Sequence, residues 1–253
     1  MVVTKFFKGV SLSQIWRGDF RPLAENGMPE EQVNALRQVC ENAPKSVYEF
    51  LVDADDPLFR NIYGDGLIDI DGRTIFSYPL VKMKKMPADM KPATGPIGTQ
   101  TSKYHQEDIL QHVALVALNL VNNGVSEELA KKLALLHDVG KKYTSATNKI
   151  GEICFYGHAE VSAFIVAQWL KKDESIDELT AKKIVAVTYG HMFAFLGYPE
   201  GFQTELAILL GDDDVAAETI DLIEKFSGCD EGVTEFTDEI MAKIATGQKL
   251  LLA

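Results

Sequence analysis

The histidines of this chain are concentrated in one third of the sequence, and their positions could support metal chemistry. All five lie between residues 105 and 191: His105, His112, His137, His158 and His191. Three fall on the apolar side of a predicted helix, with aliphatic residues three, four or seven positions away: His112, His137 and His191. A single histidine in such a place is usually a hydrogen-bonded core residue. Several that converge in one helical core need a common partner, and a transition metal would provide it.

Two aspartates could add carboxylate ligands to such a site. Asp138 directly follows His137 at the predicted end of a helix. Asp213 belongs to a run of three aspartates in an apolar segment, and the positions three, four and seven residues away from it are all apolar. An unbroken helix would point Asp213 into the core, where a carboxylate is costly unless it meets a cation. We therefore predict that Asp213 is buried and faces a metal.

The order of these residues along the chain carries a resemblance. The segments concerned are YHQEDILQH at 104–112, LLHDVGK at 135–141, FYGHAE at 155–160, His191-Met192 and Asp213. Together they resemble the HD superfamily of metal-dependent phosphohydrolases, and the pattern is similar to the HD domains appended to bacterial tRNA nucleotidyltransferases. Residues 1–100 lack the Gly-Ser and paired-Asp arrangement of a nucleotidyltransferase head. The resemblance therefore covers roughly residues 104–226.

The resemblance implies a set of metal ligands. One metal would be held by His112, His137, Asp138 and Asp213, and a second by Asp138 as a bridge together with His158 and His191. Imidazole and carboxylate ligands suit one or two ions of Fe, Mn, Ni, Co or Zn better than Mg.

The resemblance also assigns catalytic and substrate-binding roles. Asp138 and Lys141 would be catalytic, with Lys141 binding a substrate phosphate. On spacing alone, Lys141 could equally be a cation that stabilises a helix C-terminus. His105 lies on the same helix face as His112, so it would either contact the substrate or simply pack.

The function implied by the resemblance is hydrolysis of a phosphomonoester or phosphodiester of a nucleotide-like molecule, through a water that the metal activates. Two other functions stay open. A sensor could keep the metal pocket and bind a nucleotide without turnover. A di-iron oxygenase could be built on the same scaffold, and it would need a redox-active pair of iron ions.

Composition and charge narrow the classes of protein further. The chain has 253 residues, 25 of them Lys or Arg and 37 Asp or Glu, so its net charge is −12. This acidity argues against general binding of nucleic acids or anionic membranes. No apolar run approaches the ~20 residues that span a bilayer, and the first residues lack the apolar stretch of a signal peptide. The three cysteines are scattered along the chain, so we expect a protein of the reducing cytoplasm. The resemblance implies that its partner is a small phosphorylated, nucleotide-like substrate.

Helices must position the predicted ligands. From residue 104 onward the apolar pattern is helical, and glycines and Pro199 punctuate it. The predicted helices lie near 105–122, 126–140, 158–172, 177–190, 203–226 and 235–247. We predict a mainly α fold in which residues 101–253 form an HD-type helical bundle.

Residues 1–100 predict a smaller mixed α/β region whose role the sequence does not indicate. Pro29–Asn42 opens with proline and two acids, as helix N-termini do. Residues 66–78 alternate apolar and polar side chains around Asp71-Gly72, which is typical of a β-hairpin. Residues 82–103 are rich in proline and glycine and predict a linker or surface loop before the helical part.

Overall fold

A computed structural model describes residues 7–44, 46–47, 60, 62–63, 109–148, 151 and 153–230 of the chain. The described helices are α1 (Leu12–Arg17), α2 (Arg21–Glu25), α3 (Glu30–Glu41), α4 (Ile109–Asn122), α5 (Glu127–Leu136), α6 (Lys141–Thr144), α7 (His158–Leu170), α8 (Glu178–Gly190), α9 (Phe193–Leu196), α10 (Phe202–Leu210) and α11 (Asp213–Asp230). Strands β1 (Ala146–Thr147) and β2 (Ile153–Cys154) pair as a two-stranded sheet. The predicted mainly α fold is therefore confirmed.

Most predicted helices in the described residues are confirmed to within a few positions. The helix predicted at Pro29–Asn42 is α3, and those predicted at 158–172 and 177–190 are α7 and α8. The hairpin predicted at 66–78, the loop predicted at 82–103 and the helix predicted at 235–247 lie outside the described residues. None of the described helices has both the length and the apolar content that crossing a bilayer demands.

The helix predicted at 203–226 is wrong, because the chain breaks it into α10 and α11. Gly211 adopts a left-handed conformation with φ of 79°, which terminates α10. The side chain of Asp212 then accepts hydrogen bonds from the backbone N–H groups of Asp214 and Val215, both at 2.9 Å. Asp212 therefore caps the start of a new helix, and the helical register of the two halves is independent.

Contacts divide the chain into two compact units. Unit 1 comprises Met1–Val47, Leu136–Ala146 and Cys154–Glu224. Its centre is α7, which is buried along nearly its whole length and packs against α8, α1, α3 and α6. A helix that is buried on all of its sides is typical of the centre of a protein core. Unit 1 thus holds the segments that carry most of the predicted ligands.

Unit 2 comprises Tyr48–Leu135, Thr147–Ile153 and Lys225–Ala253. Its described part includes α4, whose residues 112–120 are all buried. The side-chain amide of Asn119 on α4 donates to the backbone carbonyl of Cys229 at 3.4 Å, and the hydroxyl of Tyr63 donates to the carbonyl of Leu135. The domain boundary predicted at residue 100 lies outside the described residues and stays a prediction.

Candidate metal centre

Asp138 lies in the turn between α5 and α6 and is almost completely buried, with 1% of its surface exposed. Its Oδ2 atom lies 3.0 Å from Nε2 of His137 and 2.6 Å from Nζ of Lys141. Its Oδ1 atom lies 3.4 Å from Nε2 of His158. Burial by itself would raise the pKa of Asp138, but the neighbouring His137 ring and the ammonium group of Lys141 outweigh this effect and hold the pKa well below its ordinary value. The carboxylate is therefore ionised.

Glycine at position 140 brings this turn close to the start of α7. The backbone N–H of Gly140 donates to Oγ of Ser162 at 2.8 Å. A Cβ atom at position 140 would lie 2.5 Å from both the carbonyl oxygen of His158 and the backbone nitrogen of Ser162. Only a residue without a side chain fits so close to another backbone, and this approach sets Asp138 beside His158.

His158 and His191 occupy neighbouring helix ends, and backbone carbonyls orient both rings. His158 is the first residue of α7, and its Nδ1 lies 2.8 Å from the carbonyl oxygen of Phe155. His191 follows the last residue of α8, and its Nδ1 lies 2.7 Å from the carbonyl oxygen of Thr188. Because a carbonyl only accepts hydrogen bonds, each Nδ1 carries a proton, and Nε2 is the atom of each ring that can serve as a metal ligand.

The Nε2 atoms of the two rings face each other. The Nε2 atoms of His158 and His191 are 3.1 Å apart. Burial lowers the pKa of His158 to about 3, although the Asp138 carboxylate opposes this shift, so the ring is neutral at neutral pH. With Asp138, the two rings place one ligand atom each within 4.8 Å of one another. Two imidazole nitrogens and a carboxylate oxygen in this arrangement fit a divalent transition metal.

His137 touches the same group from the side. Its ring meets the ring of His191 edge-on, with centroids 5.2 Å apart and an angle of 88° between the planes. Lys141 lies on the other side of Asp138, is 4% exposed, and holds its Nζ 5.6 Å from the centre of the Phe155 ring. Unit 1 therefore brings together five of the predicted site residues: His137, Asp138, Lys141, His158 and His191.

In unit 2, His112 pairs with a carboxylate that the sequence did not single out. Its Nε2 lies 2.9 Å from Oδ1 of Asp230, and both side chains are largely buried. A signal for Asp230 existed in the sequence, because Phe226 and Ile223, four and seven residues before it, are apolar and prove fully buried. Apolar residues at these spacings indicate that Asp230 lies on the buried side of its helix.

Two other predicted site residues have different outcomes. The prediction that Asp213 is buried is wrong, because it is exposed in the first turn of α11. Since α11 starts afresh after Gly211, the apolar residues before the break no longer share its face. Among the described residues, Asp213 does not group with any two other potential ligands. His105 lies outside the described residues.

Part of the chain matches a known protein family. The family model of the HD domain matches residues 108–226. This range contains His112, His137, Asp138, His158 and His191, whereas Asp230 lies just beyond it. No curated protein and no solved structure matches the chain.

Proposed function

We propose that this chain is a metal-dependent phosphohydrolase that cleaves a phosphomonoester or phosphodiester of a nucleotide-like substrate, because residues 108–226 match the family model of the HD domain. The observation that supports this most strongly is the pair of imidazoles whose Nε2 atoms lie 3.1 Å apart beside Asp138. Two imidazole nitrogens and a carboxylate oxygen so close together are a set of ligand atoms that a divalent transition metal binds.

The residues that would hold the metal are Asp138, His158 and His191, with His137 in contact with them. Within unit 2, His112 and Asp230 offer an imidazole and a carboxylate to each other's neighbourhood, and we propose that this pair also binds metal. Fe, Mn, Ni, Co and Zn suit these donors. When bound, the metal supplies Lewis acidity, which polarises a phosphoryl oxygen and lowers the pKa of a coordinated water.

The chain's own side chains and carbonyls prepare the site. The carbonyls of Phe155 and Thr188 keep the protons of both rings on Nδ1, so that Nε2 stays available as a ligand atom. We propose that the ammonium group of Lys141, 2.6 Å from Asp138, also neutralises charge on the substrate phosphate. This would give Lys141 two roles: it holds Asp138 in place and binds the substrate.

Burial indicates the side from which a substrate would approach. His191 and Asp138 are at most 1% exposed, whereas the side chain of His158 is 13% exposed. We propose that the phosphate reaches the centre past His158. Tyr156, two residues before it, is 39% exposed and is available for contacts with the rest of the substrate.

The test is an assay of purified protein on chromogenic phosphomonoesters, phosphodiesters and cyclic nucleotides, with Mn²⁺, Ni²⁺, Co²⁺, Zn²⁺, Fe²⁺ or Mg²⁺ added. We expect turnover with a transition metal, loss of both turnover and bound metal in Asp138→Ala, and no change in the control Asp214→Asn, whose carboxylate is exposed. Nucleotide binding without turnover would favour a sensor. If the protein consumes oxygen when iron is bound and shows no activity with Ni²⁺, this would favour an oxygenase.

A further inference from the structure

The segment of residues 7–12, which we call the N-terminal clamp, is fastened to distant parts of unit 1 by buried side chains. The backbone N–H of Phe7 donates to Oε1 of Glu160 at 3.0 Å. The hydroxyl of Tyr189 donates to the backbone carbonyl of Val10 at 2.7 Å. Glu160 and Tyr189 are 2% and 5% exposed, so water competes little for either bond.

Further contacts fix the rest of the clamp. The backbone N–H of Leu12 donates to Oε2 of Glu205 at 3.2 Å. At Lys8, the backbone N–H donates to the side-chain oxygen of Asn26, and the carbonyl accepts from its amide nitrogen, both at 2.8 Å. Five polar groups of the clamp backbone are thus held by side chains, although the clamp belongs to no helix or strand before Leu12.

Phe7 also packs directly on the turn that begins α7. Gly157 has φ of 77°, and a Cβ atom there would lie 2.4 Å from Cε2 of the Phe7 ring. Since Gly157 is the residue before His158, the ring of Phe7 rests on the backbone that sets the position of this ligand.

We propose that the N-terminal clamp positions the two imidazoles of the metal centre. Its anchors stand next to the ligands, since Glu160 follows His158 by two residues and Tyr189 precedes His191 by two. The start of α7 and the end of α8 are therefore both tied to one short segment. This common tie keeps the rings at the separation that a shared metal requires.

Glu160 and Tyr189 are positioning residues in this proposal, and they act through His158 and His191. The proposal rests on the proposed function, because it concerns the affinity of the same centre for its metal. Residues that orient metal ligands typically change affinity by about 10- to 100-fold when they are replaced.

The experiment measures Co²⁺ binding to the full chain by visible absorption. The variants are Tyr189→Phe, which removes only the hydroxyl, Glu160→Ala, and Glu160→Gln, which keeps an acceptor for Phe7. The matched control is Trp169→Phe, because Trp169 donates to the carbonyl of Val39 at 3.1 Å from the other end of α7. We expect Co²⁺ affinity to fall by about tenfold or more in Tyr189→Phe and Glu160→Ala. It should be retained in Glu160→Gln and Trp169→Phe.

A second measurement needs no metal. In metal-free protein, the ring Nδ1–H protons of His158 and His191 should give protected NMR signals, because both are hydrogen-bonded to carbonyls. The proposal predicts loss of these signals in Tyr189→Phe and their retention in Trp169→Phe.

The outcomes distinguish a failure of the clamp proposal from a failure of the proposed function. The clamp proposal is wrong if Tyr189→Phe and Glu160→Ala both bind Co²⁺ with the affinity of the wild type. It is also wrong if Trp169→Phe loses as much Co²⁺ affinity as these two variants. If the wild type binds no metal, the proposed function fails, and the NMR signals decide the clamp alone. Their selective loss in Tyr189→Phe would support it, and their retention would overturn it.

Discussion

The Nε2 atoms of His158 and His191 face each other across 3.1 Å, while the Nδ1 atom of each ring points to a backbone carbonyl. The carbonyls keep a proton on Nδ1 of both rings, and burial lowers the pKa of His158. The Nε2 atom of His158 also lies 3.4 Å from Oδ1 of the ionised Asp138. This arrangement offers a divalent cation two nitrogen ligands and one oxygen ligand.

A first prediction is that transition metals stabilise the fold strongly. A ligand that binds only the native state adds about 2.7 kcal/mol to the free energy of unfolding at a concentration 100 times its Kd. We expect Mn²⁺, Co²⁺, Ni²⁺ or Zn²⁺ to raise the Tm of chelator-treated protein by several degrees. Mg²⁺ should raise it little, since it prefers oxygen ligands. Thermal unfolding with each ion checks this, and equal effects of Mg²⁺ and Ni²⁺ would count against an imidazole-rich site.

A second prediction is that replacing Asp230 and replacing Asp213 have different effects on metal content and stability. Asp230→Asn removes the carboxylate that pairs with the buried His112 at 2.9 Å, so we expect less bound metal and a loss of about 1–3 kcal/mol in the free energy of unfolding. Asp213→Asn changes an exposed carboxylate and should leave both quantities as in the wild type. Metal analysis and urea unfolding of the two variants check this. Metal loss in Asp213→Asn alone would restore Asp213 as a ligand.

The contrast between these aspartates shows what the sequence could predict. The helices α3, α7 and α8 follow from apolar periodicity and from their N-terminal residues, because those signals are local. The predicted burial of Asp213 is wrong because apolar periodicity indicates a buried face only within one unbroken helix. Gly211 followed by Asp212 is a local stop and start signal, and weighing it would have shown the break.

Only part of the candidate site could be predicted from the sequence. The residues Asp138, His158 and His191 could be named from their order along the chain, and the structure brings them together. The contacts of the N-terminal clamp with Glu160 and Tyr189 could not be predicted, because they join residues 153 and 179 positions apart and leave no local pattern. Apolar periodicity could have predicted that Asp230 is buried, but it could not have predicted that its partner is His112.

A third prediction concerns Gly140. In Gly140→Ala the new Cβ would lie 2.5 Å from backbone atoms of His158 and Ser162, which cannot turn away as a side chain could. We expect the free energy of unfolding to fall by about 1–3 kcal/mol, and metal affinity to fall as Asp138 moves from His158. The control Gly228→Ala lies in α11 with open space around it, so it should be neutral or stabilising by about 0.5–1 kcal/mol. Denaturant unfolding of both variants checks this, and a Gly140→Ala protein as stable as Gly228→Ala would contradict it.

The last prediction is a pH dependence that Glu160 causes. Burial raises the pKa of its carboxyl from 4.5 to about 7, and hydrogen bonds from its own backbone N–H and that of Phe7 only partly oppose the shift. Between these pH values the native protein keeps a proton that the unfolded chain releases. The contribution of Glu160 to stability is therefore complete below pH 4.5, falls as the pH rises to about 7, and changes little above it.

Glu160→Gln isolates this contribution, because glutamine keeps the acceptor for Phe7 and does not titrate. The free energy of unfolding of the wild type relative to Glu160→Gln should fall by roughly 3 kcal/mol between pH 4.5 and pH 8, at 1.36 kcal/mol for each unit of pKa shift. Urea unfolding of both metal-free proteins across this range measures the difference, in which the titration of all other groups cancels. Parallel pH profiles would show that Glu160 ionises in the native protein as readily as in the unfolded chain, and that the carboxyl is not held in the buried position beside Phe7.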